Sequence, residues 1–284
     1  MYTKDMFGIL LMALGTGLGE ASSSLGKAQV AKKRESIYSM AFLSSLFTGL
    51  FIGITVLFGA SFSFDIHSLP FFVPRVLLEI FLAYITTMAI IKADRSTFGF
   101  LRLITLPLLL VVDLLLHYTF SIYQIAGMIV ILFSLGLLLG LRGISRKGAG
   151  LIILGGLASV ATISLYKYDI SHFNSVAAEQ MIVSATLVLF FGIMANYKSK
   201  ENIWALLSRP IAAFQSLSMG LAGVFESFAY LFAPASVIVG AKRGLEVLWS
   251  ILAGHYYFKE LGLKTKLIAF VLILFSLGLL AIPL

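Results

Sequence analysis

Lys242, Arg243 and Glu246 form the densest group of ionisable residues within an otherwise apolar stretch of this chain. On a helix, spacings of four and three place both cations within reach of Glu246 on one face. An ionisable side chain in hydrocarbon is costly, so each one inside such a stretch is a candidate for a solute path or for a fixed pair. Glu20, Glu79 and Arg102 belong to the same class. Planar guanidinium matches a carboxylate or phosphate, and a buried Arg needs either such an anion or a carboxylate partner. Glu79 is one candidate partner for Arg102. Asp113, Glu179 and Glu226 lie nearer the predicted helix ends, where interfacial water can reach them. The expected chemistry is recognition of a charged solute, with Arg102 and Arg243 for its acid group and Glu246 for an amine. Lys242 belongs to the same set, or snorkels to a membrane surface.

Glu20 shares a helical stripe with Thr16, Ser23, Ser24 and Lys27, which must face protein or a water-filled cavity. Gly240 and Gly244 form a GxxxG motif that lets a neighbouring helix approach closely. Pro107 falls mid-helix, where it frees the carbonyl of Leu103 and makes either a hinge or a fixed kink. Tyr118, Tyr123, Tyr166, Tyr168, Trp204, Tyr256 and Tyr257 fall at segment ends, as interfacial aromatics do.

Other chemistries find little support. There is no cysteine, and the four histidines, His67, His117, His172 and His255, stand singly. No HExxH, CxxC or Walker pattern occurs. Asp113 and His117, four apart, are the one candidate acid–base pair, so an intramembrane enzyme is the weakest reading. No catalytic residue, metal or cofactor is expected.

The elements that must position these residues follow from composition. The chain has 284 residues, 60% hydrophobic and 12% charged, with a mean hydropathy of +1.01. Soluble domains are about 45–50% apolar and about 25% charged, so a water-soluble enzyme or nucleic-acid binder is excluded. Ten apolar stretches are predicted as helices at 6–26, 37–60, 70–92, 96–117, 121–141, 148–167, 173–195, 209–232, 235–257 and 262–282. Unbroken runs such as 122–141 lack the alternation of barrel strands.

The eight residues Ile131–Leu138 recur as Ile273–Leu280, an offset of 142, half the chain, and Gly8 and Gly150 match at the same offset. The halves 1–142 and 143–284 would each hold five helices. An odd number inverts the second half, as in many secondary transporters. Fifteen of the 21 Lys and Arg lie in the loops after the odd-numbered predicted helices, against Lys4, Arg75 and Lys167 on the opposite side. By the positive-inside rule those loops are cytoplasmic and both termini lie outside.

Three segments carry a resemblance to a known family. The first runs from Ala83-Tyr84-Ile85-Thr86 through Asp94-Arg95-Ser96 and Leu106-Pro107 to Gln124-Ile125-Ala126-Gly127. The second holds Ala235-Ser236, Lys242-Arg243 and Gly254-His255-Tyr256-Tyr257-Phe258-Lys259-Glu260, and the third is the repeated octapeptide. In this order and spacing they resemble the drug/metabolite transporter superfamily, specifically its EamA-type branch. The resemblance covers nearly the whole chain. It departs from the family pattern at Tyr118, which stands opposite Glu260, and in lacking a ninth-helix counterpart of Pro107. Family members carry cytoplasmic termini, the reverse of the charge reading.

The resemblance implies ten transmembrane helices in two inverted five-helix repeats, with the fourth and ninth lining a central cavity. The expected function is secondary active transport, outward, of a small organic metabolite such as an amino acid or another zwitterionic or anionic solute. Coupling to protons or a counter-substrate is expected, since no ATPase motif is present. The expected partners are a small-molecule substrate and the lipid bilayer, not nucleic acid, with the chain a monomer or homodimer in the plasma membrane. A flippase for a lipid or lipid-linked sugar is the alternative.

Overall fold

The computed structural model describes residues 2–115, 122–140, 145–232 and 235–280, with the side chains at 2–5, 113–115, 124, 139–140, 204, 235–237 and 280 left aside. His117 and Tyr118, and the side chains of Asp113 and Trp204, therefore lie outside the described residues. The described chain is helical, without a strand: α1 (Tyr2–Ala31), α2 (Ile37–Leu57), α3 (Leu69–Lys92), α4 (Arg95–Leu101), α5 (Thr105–Leu115), α6 (Ile122–Gly140), α7 (Ala149–His172), α8 (Val176–Met194), α9 (Ile203–Leu207), α10 (Pro210–Ala229), α11 (Ala235–Leu252) and α12 (Leu263–Leu280). The sequence places most helix starts. Ser36, Ser175 and Asn202 accept the backbone N–H three residues on, which satisfies an otherwise orphaned donor, and Pro210 opens α10.

Two features differ from the sequence reading. The predicted fourth helix is two helices, α4 and α5, joined by a 3-10 turn at Arg102–Ile104. Pro107 has no N–H for the Leu103 carbonyl, so the ladder tightens one turn earlier, and the single kink expected at Pro107 is a break that includes Arg102. The short α9 was not expected. Among the described residues, seven helical stretches are long and apolar enough to cross a bilayer. α11 carries three charges, α12 opens on Lys264 and Lys266, and the shorter apolar stretch in α6 is Ile125–Leu138. The architecture is that of a multi-pass helical membrane protein. Large apolar side chains such as Leu77, Phe133, Leu189 and Phe275 face outward, while Arg75, Arg95, Arg243, Glu179 and Glu246 are buried.

The packing partners recur in a regular way. With α4 and α5 taken as one rod and α9 as part of a loop, there are ten long rods among the described residues. α1 packs along α10 as α7 packs along α3; α1 meets α11 as α7 meets α4 and α5. α2 packs on α8, α4 on α11, and α6 on α12. Exchanging each rod with the one five places away maps these contacts onto one another. The two copies of the octapeptide lie on the contacting pair α6 and α12 in matched environments. Ile131 and Ile273 are buried, Phe133 and Phe275 are exposed, and Ser134 and Ser276 are buried with their hydroxyls bonded to their own helices at 2.7 Å. Gly8 and Gly150 are not so matched: Gly8 faces Phe232 and Ile238, whereas Gly150 has open space.

Hydrogen bonds gather the basic loops at one end. Lys27 Nζ donates to the Ala93 carbonyl, Ser145 N to Thr97 Oγ1 (2.9 Å) and Arg209 Nη1 to the Arg34 carbonyl (2.7 Å). Glu201 accepts from Ser36 N and Ser39 Oγ at the start of α2. Glu260 accepts from Arg95 N (2.6 Å), Ser96 and Lys266. Burial pushes the Glu260 carboxyl up, but these donors hold it below its ordinary value. At the same end Glu35 is buried, accepting from Gln215 Nε2 at 3.3 Å. Burial, with the neighbouring Glu201 charge, raises the Glu35 carboxyl to about 7 against the bond from Gln215 and the charge of Arg209. At the opposite end the loops pair through Ser63 with Ser175 and Asp65 N with Asn174 Oδ1.

α4 and α11 meet at Gly99. A Cβ there would collide with Ser250 Oγ and stand 2.7 Å from Ser250 Cβ and 3.2 Å from the Glu246 carbonyl. Gly99→Ala is therefore expected to cost about 1–3 kcal/mol. Adding Ser250→Gly should recover part of it, read as melting temperature in detergent. Equal melting of Gly99→Ala and the parent would contradict the contact.

Candidate functional site

A cavity of about 360 Å³ lies between the rods, lined from α1, α2, α3, α4, α7, α8, α10 and α11 and by Arg102 of the 3-10 turn. Glu20, Glu79, Arg102, Lys242, Arg243 and Glu246, which sequence reading singled out, are all on its wall, with Arg75 and Glu226. Hydroxyls fill much of the remainder, among them Thr16, Ser44, Ser45, Thr48, Thr86, Ser159 and Thr162. These residues come from opposite halves of the chain.

The pairing differs from the sequence reading in two places. Arg102 does not pair with Glu79: its Nη1 lies 3.0 Å from Glu246 Oε1. Lys242 does not reach Glu246, four residues on, but pairs with Glu226 of α10. Glu246 is already held by two guanidiniums, since Arg243 Nη1 donates to its Oε2 at 2.5 Å. The break before Pro107 sets this arrangement. It puts Arg102 in the 3-10 turn, and Thr105 Oγ1 donates to the Arg102 carbonyl at 2.8 Å while accepting from Arg243 Nε at 2.9 Å. The Phe98 ring lies 5.0 Å from the Arg102 guanidinium. The two arginines are not equally open: the Arg102 side chain is 18% exposed and that of Arg243 1%. Gly240 and Gly244 face the Leu277 side chain of α12 rather than a neighbouring backbone.

A layer of buried polar contacts flanks the cavity at each end. Toward the basic end Glu20 pairs with Arg95, which also donates to Ser23. Toward the other end Arg75 pairs with Glu179, whose second oxygen accepts from Asn174 Nδ2 at 2.7 Å. Arg75 also lies 4.4 Å from the Tyr166 ring, and Tyr166 OH donates to the Ser227 carbonyl at 3.1 Å. Tyr166 packs edge-on against Tyr230 with ring centroids 5.7 Å apart, and Lys167 Nζ donates to the Tyr230 carbonyl at 2.6 Å.

Sequence reading missed several of these residues. Arg75 and Arg95 were counted among the end and loop charges and Tyr166 among the interfacial aromatics, while Glu179 was a candidate read as reachable by interfacial water; all four are buried. Arg75 carried one usable signal, its place a turn inside an apolar stretch, four residues before Glu79. Arg95 carried none, since its polar neighbours look like any loop. Glu79 lines the cavity without a hydrogen-bond or ion-pair partner among the described residues; the cations acting on it are Arg75 and Lys242. Among the described residues no group of His, Cys, Asp and Glu is placed to hold a metal ion. In comparison with known proteins, the chain matches no family model and no curated sequence.

Proposed function

We propose that this chain is a secondary active transporter, built as two inverted five-helix repeats with ten spans, that moves a small charged organic solute outward across the plasma membrane. The observation that carries the reading is the charged cavity between the halves, flanked at both ends by buried ion pairs. A water-accessible site near the middle of a bundle, with a separable layer on either side, is what alternating access requires. The exchange of packing partners between rods five places apart, and the matched environments of the octapeptide copies, support the inverted repeat. The resemblance to EamA-type transporters points the same way. The gathering of Lys and Arg at one end supports a cytoplasmic position for that end. Contacts such as Glu260 with Ser96 and Ser63 with Ser175 join the halves at opposite ends, so they are the ones to break in turn. The break before Pro107 is the hinge of this scheme, and the cavity serves transport rather than catalysis.

The test uses purified protein in liposomes loaded with an unlabelled amino acid, nucleotide, sugar or amine. At least one of these is expected to drive saturable uptake of its labelled form from outside. Failure of every class to exchange faster than into protein-free vesicles would overturn the reading.

A further inference from the structure

The cavity charges divide into neutral pairs and two unbalanced groups. Glu20 is neutralised by Arg95, and Arg75 by Glu179. What remains on the wall is Arg102 and Arg243 around the single carboxylate of Glu246, Lys242 on Glu226, and Glu79, which feels Arg75 and Lys242 but forms an ion pair with neither, Arg75 being held by Glu179 and Lys242 by Glu226. The arginine group carries one excess positive charge, and the group that includes Glu79 one excess negative charge. Each group has a member with a free valence toward the cavity. Arg102 is the more open of the two guanidiniums, and Glu79 has no partner among the described residues.

Resting on the transport reading above, we infer that the solute is a small zwitterion, its acid group on Arg102 and its ammonium group on Glu79. Neither a plain anion nor a plain cation satisfies both groups. An anion leaves Glu79 without an ion-pair partner in a site that the solute has partly dehydrated, and a cation leaves two guanidiniums on one carboxylate. Unpaired charge in such a site is costly, so discrimination comes as much from what the wrong solute leaves unsatisfied as from what the right one gains. The hydroxyl oxygens around the cavity supply neutral acceptors to the body of the solute, several of them already donating to carbonyls of their own helices. A cavity of about 360 Å³ suits a solute of amino-acid size. Arg243, buried between Glu246 and Thr105, is a positioning residue that holds Glu246 and leaves one face of Arg102 free.

Binding to purified protein in detergent, which needs no transport, tests the proposal. The probes are the twenty common amino acids with β-alanine, γ-aminobutyrate and taurine, followed by the N-acetyl and methyl-ester derivatives of the tightest binder. Each blocked derivative is expected to bind at least tenfold more weakly than the parent zwitterion. Glu79→Gln should reduce the preference for the zwitterion over its N-acetyl derivative at least tenfold, and Arg102→Gln should do the same for the methyl ester. These ratios do not depend on the fraction of protein that is folded. Blocked derivatives binding as tightly as the zwitterion, no zwitterion binding at all, or unchanged ratios in both variants would each overturn the proposal. A sugar or nucleotide that exchanged in liposomes while no zwitterion bound would sink this inference and leave the transport reading standing.

Discussion

Arg102→Gln is expected to lower solute exchange in liposomes by ten- to a hundredfold or more, while melting close to the parent protein in detergent. The lost interaction is a charge-assisted hydrogen bond, about 1.5–3 kcal/mol, and about 1.4 kcal/mol corresponds to tenfold in affinity. Arg102 is partly open to the cavity, and Glu246 keeps Arg243 when it is gone. Arg243→Gln is expected to behave differently. Arg243 is buried and bonded to both Glu246 and Thr105. Glu246 would keep Arg102, but two buried hydrogen bonds are lost, at about 1–3 kcal/mol, so this variant should lose stability together with exchange. The paired measurement separates a solute-contacting arginine from one that positions its neighbour. Full exchange by Arg102→Gln, or equal melting by Arg243→Gln, would overturn these roles.

The second large effect is a pH dependence located at Glu35. Its Oε2 and the Oε1 of Gln215 are both buried without a hydrogen bond, while Gln215 Nε2 already donates to Glu35 Oε1. A proton on Glu35 Oε2 would let it donate to Gln215 Oε1 and close a two-bond acid–amide ring, satisfying both atoms. The folded carboxyl is raised from its ordinary 4.5 to about 7, by burial first and by the nearby Glu201 charge. Between those values the folded chain binds more protons than the unfolded one. The contribution of this group to stability is therefore complete below about 4.5 and is lost as pH rises through 7. At about 1.4 kcal/mol per pH unit, the loss is on the order of 3 kcal/mol. Glu35→Gln keeps both bonds of the ring without the charge. It should melt like the parent near pH 5 and above it by several degrees near pH 8. Parallel melting of the two proteins across that range would show that Glu35 is ionised in the folded state. Because the contact ties the loop after α1 to α10 at the basic end, exchange should share this pH dependence.

Membrane class, helical content and most helix limits were legible in the sequence because each depends on local properties. Run length, apolar composition and capping residues such as Ser36 and Ser175 act within a few residues of where they stand. The half-chain repeat was legible for a similar reason: identical octapeptides need no structure to be compared. The one cavity ion pair read correctly was Arg243 with Glu246, three residues apart on one helix, where local geometry nearly dictates the contact. Every pair between helices was beyond the sequence. Glu20 meets Arg95, 75 residues away, only because α1 and α4 converge at the basic end. Lys242 turns from Glu246 to Glu226 because two arginines already occupy the nearer carboxylate, one of them delivered by the break before Pro107. Hydropathy marks a charge inside an apolar stretch as costly, but which partner offsets that cost depends on which rods pack together. The sequence determined that these charges had to be sheltered, and the tertiary structure decided which of them pair, leaving Glu79 on the cavity wall without a hydrogen-bond or ion-pair partner among the described residues and Arg102 partly open beside Glu246.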